Sequence, residues 1–335
     1  MANNTSIEWA GRSVNFFLVK LLSKIGWFCV KKSAGCANCY SEFLNLDPRA
    51  KASDRRRGVG LQYKRQSALE LEPFFKREAL TDLLRMRKAT RIFPNDMTDT
   101  FLSLGCCPTC SNVWEDEACP EFQCNDCGSA DVKVFWPSEW IQETLDIYDE
   151  LAQKGHVIQS LTKRPGRMLR EIKTWSERHG RKLHRGVWPG FSAEDQDTFD
   201  GRWPAVAECA EFADGVLWVS YEPGIGAIDM RDALSGSGPA VLGWGVVGGE
   251  SGRYARPFHV AWAEDAVEQF AGAGVPLFVK QLGAKPLLTD APGDEWPVRH
   301  VITDEGWRPV LTKKGGLPEE WPAHLRVRQF PEGTP

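Results

Sequence analysis

No stretch of this sequence is both long and apolar enough to cross a bilayer. The most hydrophobic N-terminal run, "VNFFLVKLLSKIGWFCV" at 14–30, is interrupted by Lys20 and Lys24 and carries no small-residue cleavage site. Neither a spanning helix nor a targeting signal is read from it, and a cytoplasmic protein without membrane partners is expected. Positive charge is also scarce: 41 lysines and arginines stand against 45 acidic residues, a net charge of −4. That balance argues against holding nucleic acid by bulk electrostatics, which requires a dense basic surface. What remains is local, namely Arg49, Lys51 and Arg55–Arg57, then Lys163, Arg164, Arg167 and Arg170, each read first as a solvated charged face. A disulfide framework is missing too. The ten cysteines gather in close clusters within a 335-residue chain, which points to a reducing compartment and metal ligation.

With 42% apolar residues the chain can bury a full core, as one large α/β domain with an insertion or as two domains. Short β-rich runs recur in the second half: "HVIQSLTKR" from 156, "GVWPGFSAE" from 186, "DGVLWVSYEPG" from 214, "LGWGVVGGES" from 242 and "VPLFVKQLG" from 275. Their starts lie 30, 28, 28 and 33 residues apart, close to one βαβ unit. The intervening segments carry helix signals. Pro165 suits a first helical position, Met168, Leu169, Ile172 and Trp175 share a face, and Gly180 supplies the stop. Ala263, Ala266, Val267 and Phe270 repeat the pattern before Gly272 and Gly274. Upstream, Ser138 is expected to cap a helix striped by Ile141, Leu145, Tyr148 and Ala152.

Alternation of this kind means a parallel sheet, open or closed into a barrel. Two earlier strands, "IGWFCV" from 25 and "RIFPNDM" from 91, complete the series, and the wide gaps around the second hold insertions. In such folds chemistry gathers at the carboxyl ends of the strands. The polar residues there are Asn95 and Asp96, Thr162 to Arg164, Ser192 and Glu194, Ser220 and Glu222, Gly248 to Glu250, and Lys280 with Gln281; capping or turn roles compete with chemistry at each.

Cys29, Cys36 and Cys39 follow the first expected strand with C-x6-C-x2-C spacing. In one reading the thiolates hold three irons of a [4Fe-4S] cluster, leaving the fourth iron open to an exogenous ligand. In another they bind structural zinc with a fourth ligand from elsewhere, such as Cys209 or a histidine. Three unligated thiols in a turn is the third. A second group, Cys107-Pro-Thr-Cys110 and Cys124-Asn-Asp-Cys127, forms two C-x2-C knuckles separated by thirteen residues, close to a zinc ribbon. Cys106 and Cys119 are left over, so an auxiliary Fe–S cluster is the rival to zinc. The ribbon acts either as a staple for a short, apolar-poor insertion or in substrate recognition.

Taken together, the chain resembles a phage- and prophage-associated domain of unknown function that looks like a divergent radical S-adenosylmethionine (SAM) enzyme. The resemblance runs through "IEW" at 7–9, "GCANCY" at 35–40, "FPNDMTD" at 93–99, "LTKRPGRM" at 161–168, "VSYEPGIGAID" at 219–229, "VVGGESGRYARPFH" at 246–259, "VPLFVKQLG" at 275–283 and "TKKGG" at 312–316. It implies a partial TIM-like (βα) barrel of the radical SAM type with a zinc-ribbon insertion. The barrel would occupy 1–100 and 136–283, the ribbon 101–135 and a C-terminal extension 284–335. It implies a [4Fe-4S] cluster on Cys29, Cys36 and Cys39 with SAM on the open iron, while the knuckle spacing of Cys107, Cys110, Cys124 and Cys127 favours Zn2+ there. An external electron donor would reduce the cluster, SAM would yield a 5′-deoxyadenosyl radical, and the protein would supply orientation and exclusion of water. Tyr40, Asn95, Ser220, Gly248, Gly249 and Glu250 are the expected cofactor contacts, and Glu222 and Lys280 the expected catalytic residues. A nucleic-acid base or nucleotide, modified or repaired in the host cytoplasm of a phage or prophage, is the expected substrate. The alternatives are a zinc-dependent nucleic-acid or protein interaction module without redox chemistry, and an Fe–S protein that never uses SAM.

Overall fold

The computed structural model describes residues 3–5, 7–47, 58–115, 123–238, 240–291, 293–312 and 314–335. The chain is mixed α/β and divides into two compact units, one of Met1–Trp188, Glu211–Gly215 and Pro335, the other of Pro189–Ala210 and Val216–Thr334.

In the first unit the strand Arg12–Val14 pairs parallel with Arg91–Pro94, which pairs parallel with Val157–Thr162. The expected strand at residue 25 is different. Only Lys24–Gly26 is extended, and it belongs to a separate antiparallel sheet with Phe17–Leu21 and Glu72–Phe75. Apolar content alone cannot distinguish a barrel strand from a hairpin strand, and Leu22, at φ +52° in the left-handed region, makes the turn. The helix Ser138–Gln153 buries Ile141, Leu145, Tyr148 and Ala152. Ser138 does not cap it: Pro137 is the cap residue, and the Ser138 hydroxyl donates instead to Glu171 Oε1 at 2.7 Å.

The helix Pro165–His179 begins on proline and ends where Gly180 turns left-handed, at φ +63°. It buries Met168, Ile172 and Trp175, each side chain contributing about 1.5–3 kcal/mol by leaving water. In a small antiparallel sheet Leu104–Cys107 lies between Asn112–Trp114 and Lys133–Phe135.

Pro189–Ser192 of the strand Val187–Ser192 belong to the second unit, in which that strand, Trp218–Tyr221, Trp244–Gly248 and Leu277–Gln281 pair in that order, all parallel. This βα alternation, with that of the first unit, is compatible with a partial barrel. The helix Val260–Ala273 covers one face, so tightly that a Cβ on Gly245 would lie 2.4 Å from Phe270 Cζ. It runs through Gly272 and stops at Gly274, φ +67°. On the opposite face the rings of Trp218 and Trp244 lie 5.1 Å apart, and Phe330 stacks on Trp244 at 5.6 Å. Gly190 leaves room for the Trp218 indole, which a Cβ there would meet at 2.2 Å. Phe330 arrives on a segment that lines the free edge of Leu277–Gln281. The Val279 N–H donates to Val327 O and the Gln329 N–H to Leu277 O, both at 2.8 Å.

Candidate metal centres and strand-end residues

Cys107 and Cys127 bring their sulfurs to 3.6 Å, and so do Cys110 and Cys124. All four lie within 4.8 Å of one another. A zinc–sulfur bond of about 2.3 Å with tetrahedral angles requires sulfurs about 3.8 Å apart, so the donor set fits a single tetrahedral ion. Local backbone makes the shell. Gly128 is left-handed at φ +69°, its N–H donates to Cys124 O at 2.9 Å, and the Cys124 N–H donates to Ser129 O at 2.8 Å. Between the knuckles Asn112 Nδ2 donates to Asp126 Oδ2 at 2.6 Å. Cys107 and Cys124 are buried while Cys110 and Cys127 are exposed, so the shell opens to solvent on one side. Of the leftover thiols, Cys106 is buried and donates to Ala68 O at 3.7 Å; Cys119 lies outside the described residues.

The other three thiols are arranged differently. Among the described residues the four-cysteine group is the one whose ligand atoms all lie within 4.8 Å of one another, and Cys29, Cys36 and Cys39 do not form such a group. Cys36 ends the turn Ala34–Cys36 and Cys39 precedes the helix Tyr40–Leu46. The segment reaches the carboxyl end of Arg91–Pro94 by side-chain bonds and not by running along a barrel strand. Tyr40 OH donates to Asp96 O, Thr98 Oγ1 to Phe28 O, and Ser41 Oγ to Met97 O at 2.5 Å. Burial pushes the Cys29 thiol up to about 12 against the pull of Arg164, and burial likewise raises Cys39. Cys36 is also partly buried, but Lys163, backbone hydrogen bonds from Lys32 and Ser33, and Arg164 outweigh that and hold it below the ordinary thiol value.

Asn95, at φ +52°, is buried. Its Oδ1 accepts from the N–H groups of Phe16 at 3.1 Å and Phe17 at 3.3 Å, and its Nδ2 donates to Thr100 Oγ1 at 3.0 Å.

Arg164 and Arg167 are not solvated. Arg167 is buried and donates to Leu102 O at 3.0 Å and Trp136 O at 2.8 Å. Arg164, 5% exposed, joins three segments: Nη1 reaches Asp99 Oδ2 at 3.1 Å, Nε reaches Glu115 Oε1 at 2.9 Å, and Nη2 reaches Val30 O at 2.9 Å. Asp99 in turn accepts from Thr162 Oγ1 at 2.7 Å and the Lys163 N–H at 3.1 Å. The Asp99–Arg164–Glu115 cluster escapes a reading by sequence because its members are far apart and lack a motif. The one hint is that Asp99 and Arg164 each end a strand-to-loop motif, "FPNDMTD" and "LTKR". Arg49, Lys51 and Arg55–Arg57 lie outside the described residues.

In the second unit Ser220, Glu222 and Lys280 come together. Lys280 Nζ lies 2.8 Å from Glu222 Oε1, and Ser220 Oγ donates to Glu222 Oε2 at 3.3 Å. Glu222 and Lys280 end strands that are not neighbours, with Gly248 on the strand between them, where a Cβ would sit 2.9 Å from Glu222 Oε1. A register shift at Val247/Gly248 pairs Gly248 with Gln281. Gly249 passes close to Leu282 O, 2.6 Å from where its Cβ would stand. Glu250 is buried and accepts from the Arg256 N–H, Nε and Nη2 at 2.9, 3.0 and 2.7 Å, locking the base of the loop between them. Gly315 of the "TKKGG" motif lies at the same strand end, its carbonyl accepting from the Leu282 N–H at 2.9 Å, and Lys313 of that motif lies outside the described residues. Cys209 is buried in this unit, donating to Ala205 O at 3.4 Å, and it joins no ligating group among the described residues.

The molecule is thus an α/β protein with four cysteines placed so that they could hold a metal ion. The family described as "Protein of unknown function (DUF5131)" matches residues 126–299, half of the chain, and the chain belongs to it. Searches of curated proteins and of solved structures return no match. Among the described residues no helix is long and apolar enough to cross a membrane.

Proposed function

We propose that the chain is an iron–sulfur enzyme of the radical SAM type, with Cys29, Cys36 and Cys39 ligating three irons of a [4Fe-4S] cluster and Cys107, Cys110, Cys124 and Cys127 holding zinc. The observation that carries this reading is the setting of the three cysteines, on a segment bonded to the carboxyl end of Arg91–Pro94 through Tyr40 OH to Asp96 O and Thr98 Oγ1 to Phe28 O, with the Arg164 guanidinium on Val30 O beside Cys29. Arg164 and Lys163 act on Cys36 as cations, and buried thiolates require such compensation. When bound to the open iron, SAM would supply a 5′-deoxyadenosyl radical on one-electron reduction by an external donor. The chain's part is to hold the three thiolates at the ends of Arg91–Pro94 and Val157–Thr162 and to exclude water there.

Glu222 and Lys280 are the proposed polar contacts to substrate, with Ser220, Gly248, Gly249 and Glu250, and Tyr40 and Asn95 in the other unit, proposed to bind or position the cofactor. As substrate we propose a nucleobase, extruded from the stack if presented in a duplex. The support is Tyr254, 60% exposed, with the Arg253 guanidinium 5.6 Å from its ring centroid; such a pair offers a stacking surface to a base. A cytoplasmic, phage-related setting belongs to the same proposal. A second reading, a zinc-dependent nucleic-acid or protein interaction module without redox chemistry, rests on the four-cysteine site alone.

Anaerobic reconstitution followed by iron, sulfide and zinc analysis separates the two. The expected result is one zinc and four irons per chain, a cluster spectrum that shifts on adding SAM, and loss of that spectrum in Cys36→Ala. Zinc without iron would overturn the enzyme reading.

A further inference from the structure

The four-cysteine module meets the three-cysteine loop chiefly at Glu115, which pairs with the buried Arg164 guanidinium and, at 3.6 Å, with Lys32 Nζ of the loop itself, while Arg65 holds its other oxygen at 3.1 Å and Phe135 lies 5.4 Å from the ring of Phe28. Cys107 pairs with Asn112 across the hairpin, and Glu115 directly follows the strand Asn112–Trp114. The same strand is clamped to the second knuckle by the Asn112–Asp126 bond and to its neighbour by Trp114, whose ring fills the space a Cβ on Gly105 would occupy at 2.4 Å. Glu115 reaches Arg164 with 2.9 and 2.8 Å contacts, and Arg164 donates to the carbonyl of Val30, next to Cys29. Glu115 and Arg164 are both buried, each side chain 5% exposed. If the hairpin frays, Arg164 keeps Asp99 but loses its second carboxylate, and a buried cation with incomplete pairing draws water or moves.

We propose that metal binding at the four-cysteine site sets the geometry of the Cys29 segment through a Glu115–Arg164 strap, with Arg164 as a positioning residue. The module is thereby more than a local staple: its metal stabilises a contact at the carboxyl ends of Arg91–Pro94 and Val157–Thr162, where Asp99 accepts from both the Thr162 hydroxyl and the Arg164 guanidinium. The proposal rests on the metal reading of the four cysteines and not on what the three cysteines bind.

The test uses the full chain, free of iron, loaded with zinc alone or stripped by a chelator, and reads alkylation of each cysteine by peptide mass spectrometry. Cys29 should react about tenfold faster in the stripped chain, as for a local opening made that much more populated. Zinc-loaded Glu115→Gln should show the same rise while retaining its zinc. Cys209, buried in the other unit, serves as the internal control and should stay protected throughout. If Cys209 also becomes reactive in Glu115→Gln, the variant is unfolded and the zinc-loaded and stripped wild-type chains decide alone. A chain that binds no stoichiometric zinc overturns the metal reading and the proposal with it. A zinc-binding chain whose Cys29 rate is the same loaded and stripped overturns the strap while leaving the metal site standing. A folded Glu115→Gln with the wild-type Cys29 rate also overturns it.

Discussion

The four-cysteine site and the Glu222–Lys280 pair bring side chains together on opposite principles. The cysteines come from two tight turns, and backbone bonds such as Gly128 N–H to Cys124 O set their directions within a few residues. Leu104, Cys106 and Phe135 are buried beneath them, and an ion on the four thiolates would tie the two turns to that base. Glu222 and Lys280 meet because the register of three parallel strands places their ends side by side, and because the middle strand offers a glycine where the two side chains cross. The first site is set by local turns; the second is long-range and depends on packing.

Substitutions can break that comparison. Cys124→Ser should have the largest effect: stoichiometric zinc is lost, and with it folding free energy on the order of 10 kcal/mol for the module. Metal analysis and hydrogen exchange would detect this, with the amides of Trp218–Tyr221 and Trp244–Gly248 keeping their protection. If exchange rises in those strands too, the two sites are not independent. Gly248→Ala should cost about 1–3 kcal/mol in denaturant melts, because the new methyl displaces the Glu222 carboxylate, and zinc content should not change. Glu222→Gln in the same background should then cost little more, since the pair is already open.

The smallest effect concerns pH. His156 is buried and its Nδ1 accepts from the Thr90 N–H at 3.3 Å, and burial holds its pKa below the ordinary value of 6.5. The imidazole is therefore neutral in the fold while the unfolded chain takes up a proton below about 6.5, so this contribution is present above that pH and is lost as the pH falls toward the folded value. His156→Asn keeps an acceptor without titrating, and its stability should fall less steeply than the wild type's between about pH 7 and about pH 5. Equal slopes would reject His156 as the source.

The same distinction explains what could be read from the sequence. Strand and helix alternation after residue 156 and the two knuckles are short-range patterns, and each element formed where its periodicity or spacing placed it. Cys29 was expected on a barrel strand because "IGWFCV" is apolar, but a hairpin strand buried on one side has the same composition. Arg164 reads as solvent-facing because it stands in a run of basic residues, Lys163, Arg164, Arg167 and Arg170, and such runs are usually solvated faces. Only the fold reveals that Asp99 and Glu115, 65 and 49 positions away, enclose it. Charges paired over such distances leave no periodic trace, and neither does a glycine kept bare so that two others can meet across it.

The segment that carries Arg326 to Phe330 has a consequence for the physical behaviour of the chain in concentrated solution. By bonding to Leu277 and Val279 it occupies amide and carbonyl groups that a terminal strand otherwise offers to any extended peptide. A chain shortened before Arg326 would expose that template together with the rings of Trp244 and Phe278. Its first failure would be self-association through paired edges, well before any loss of metal.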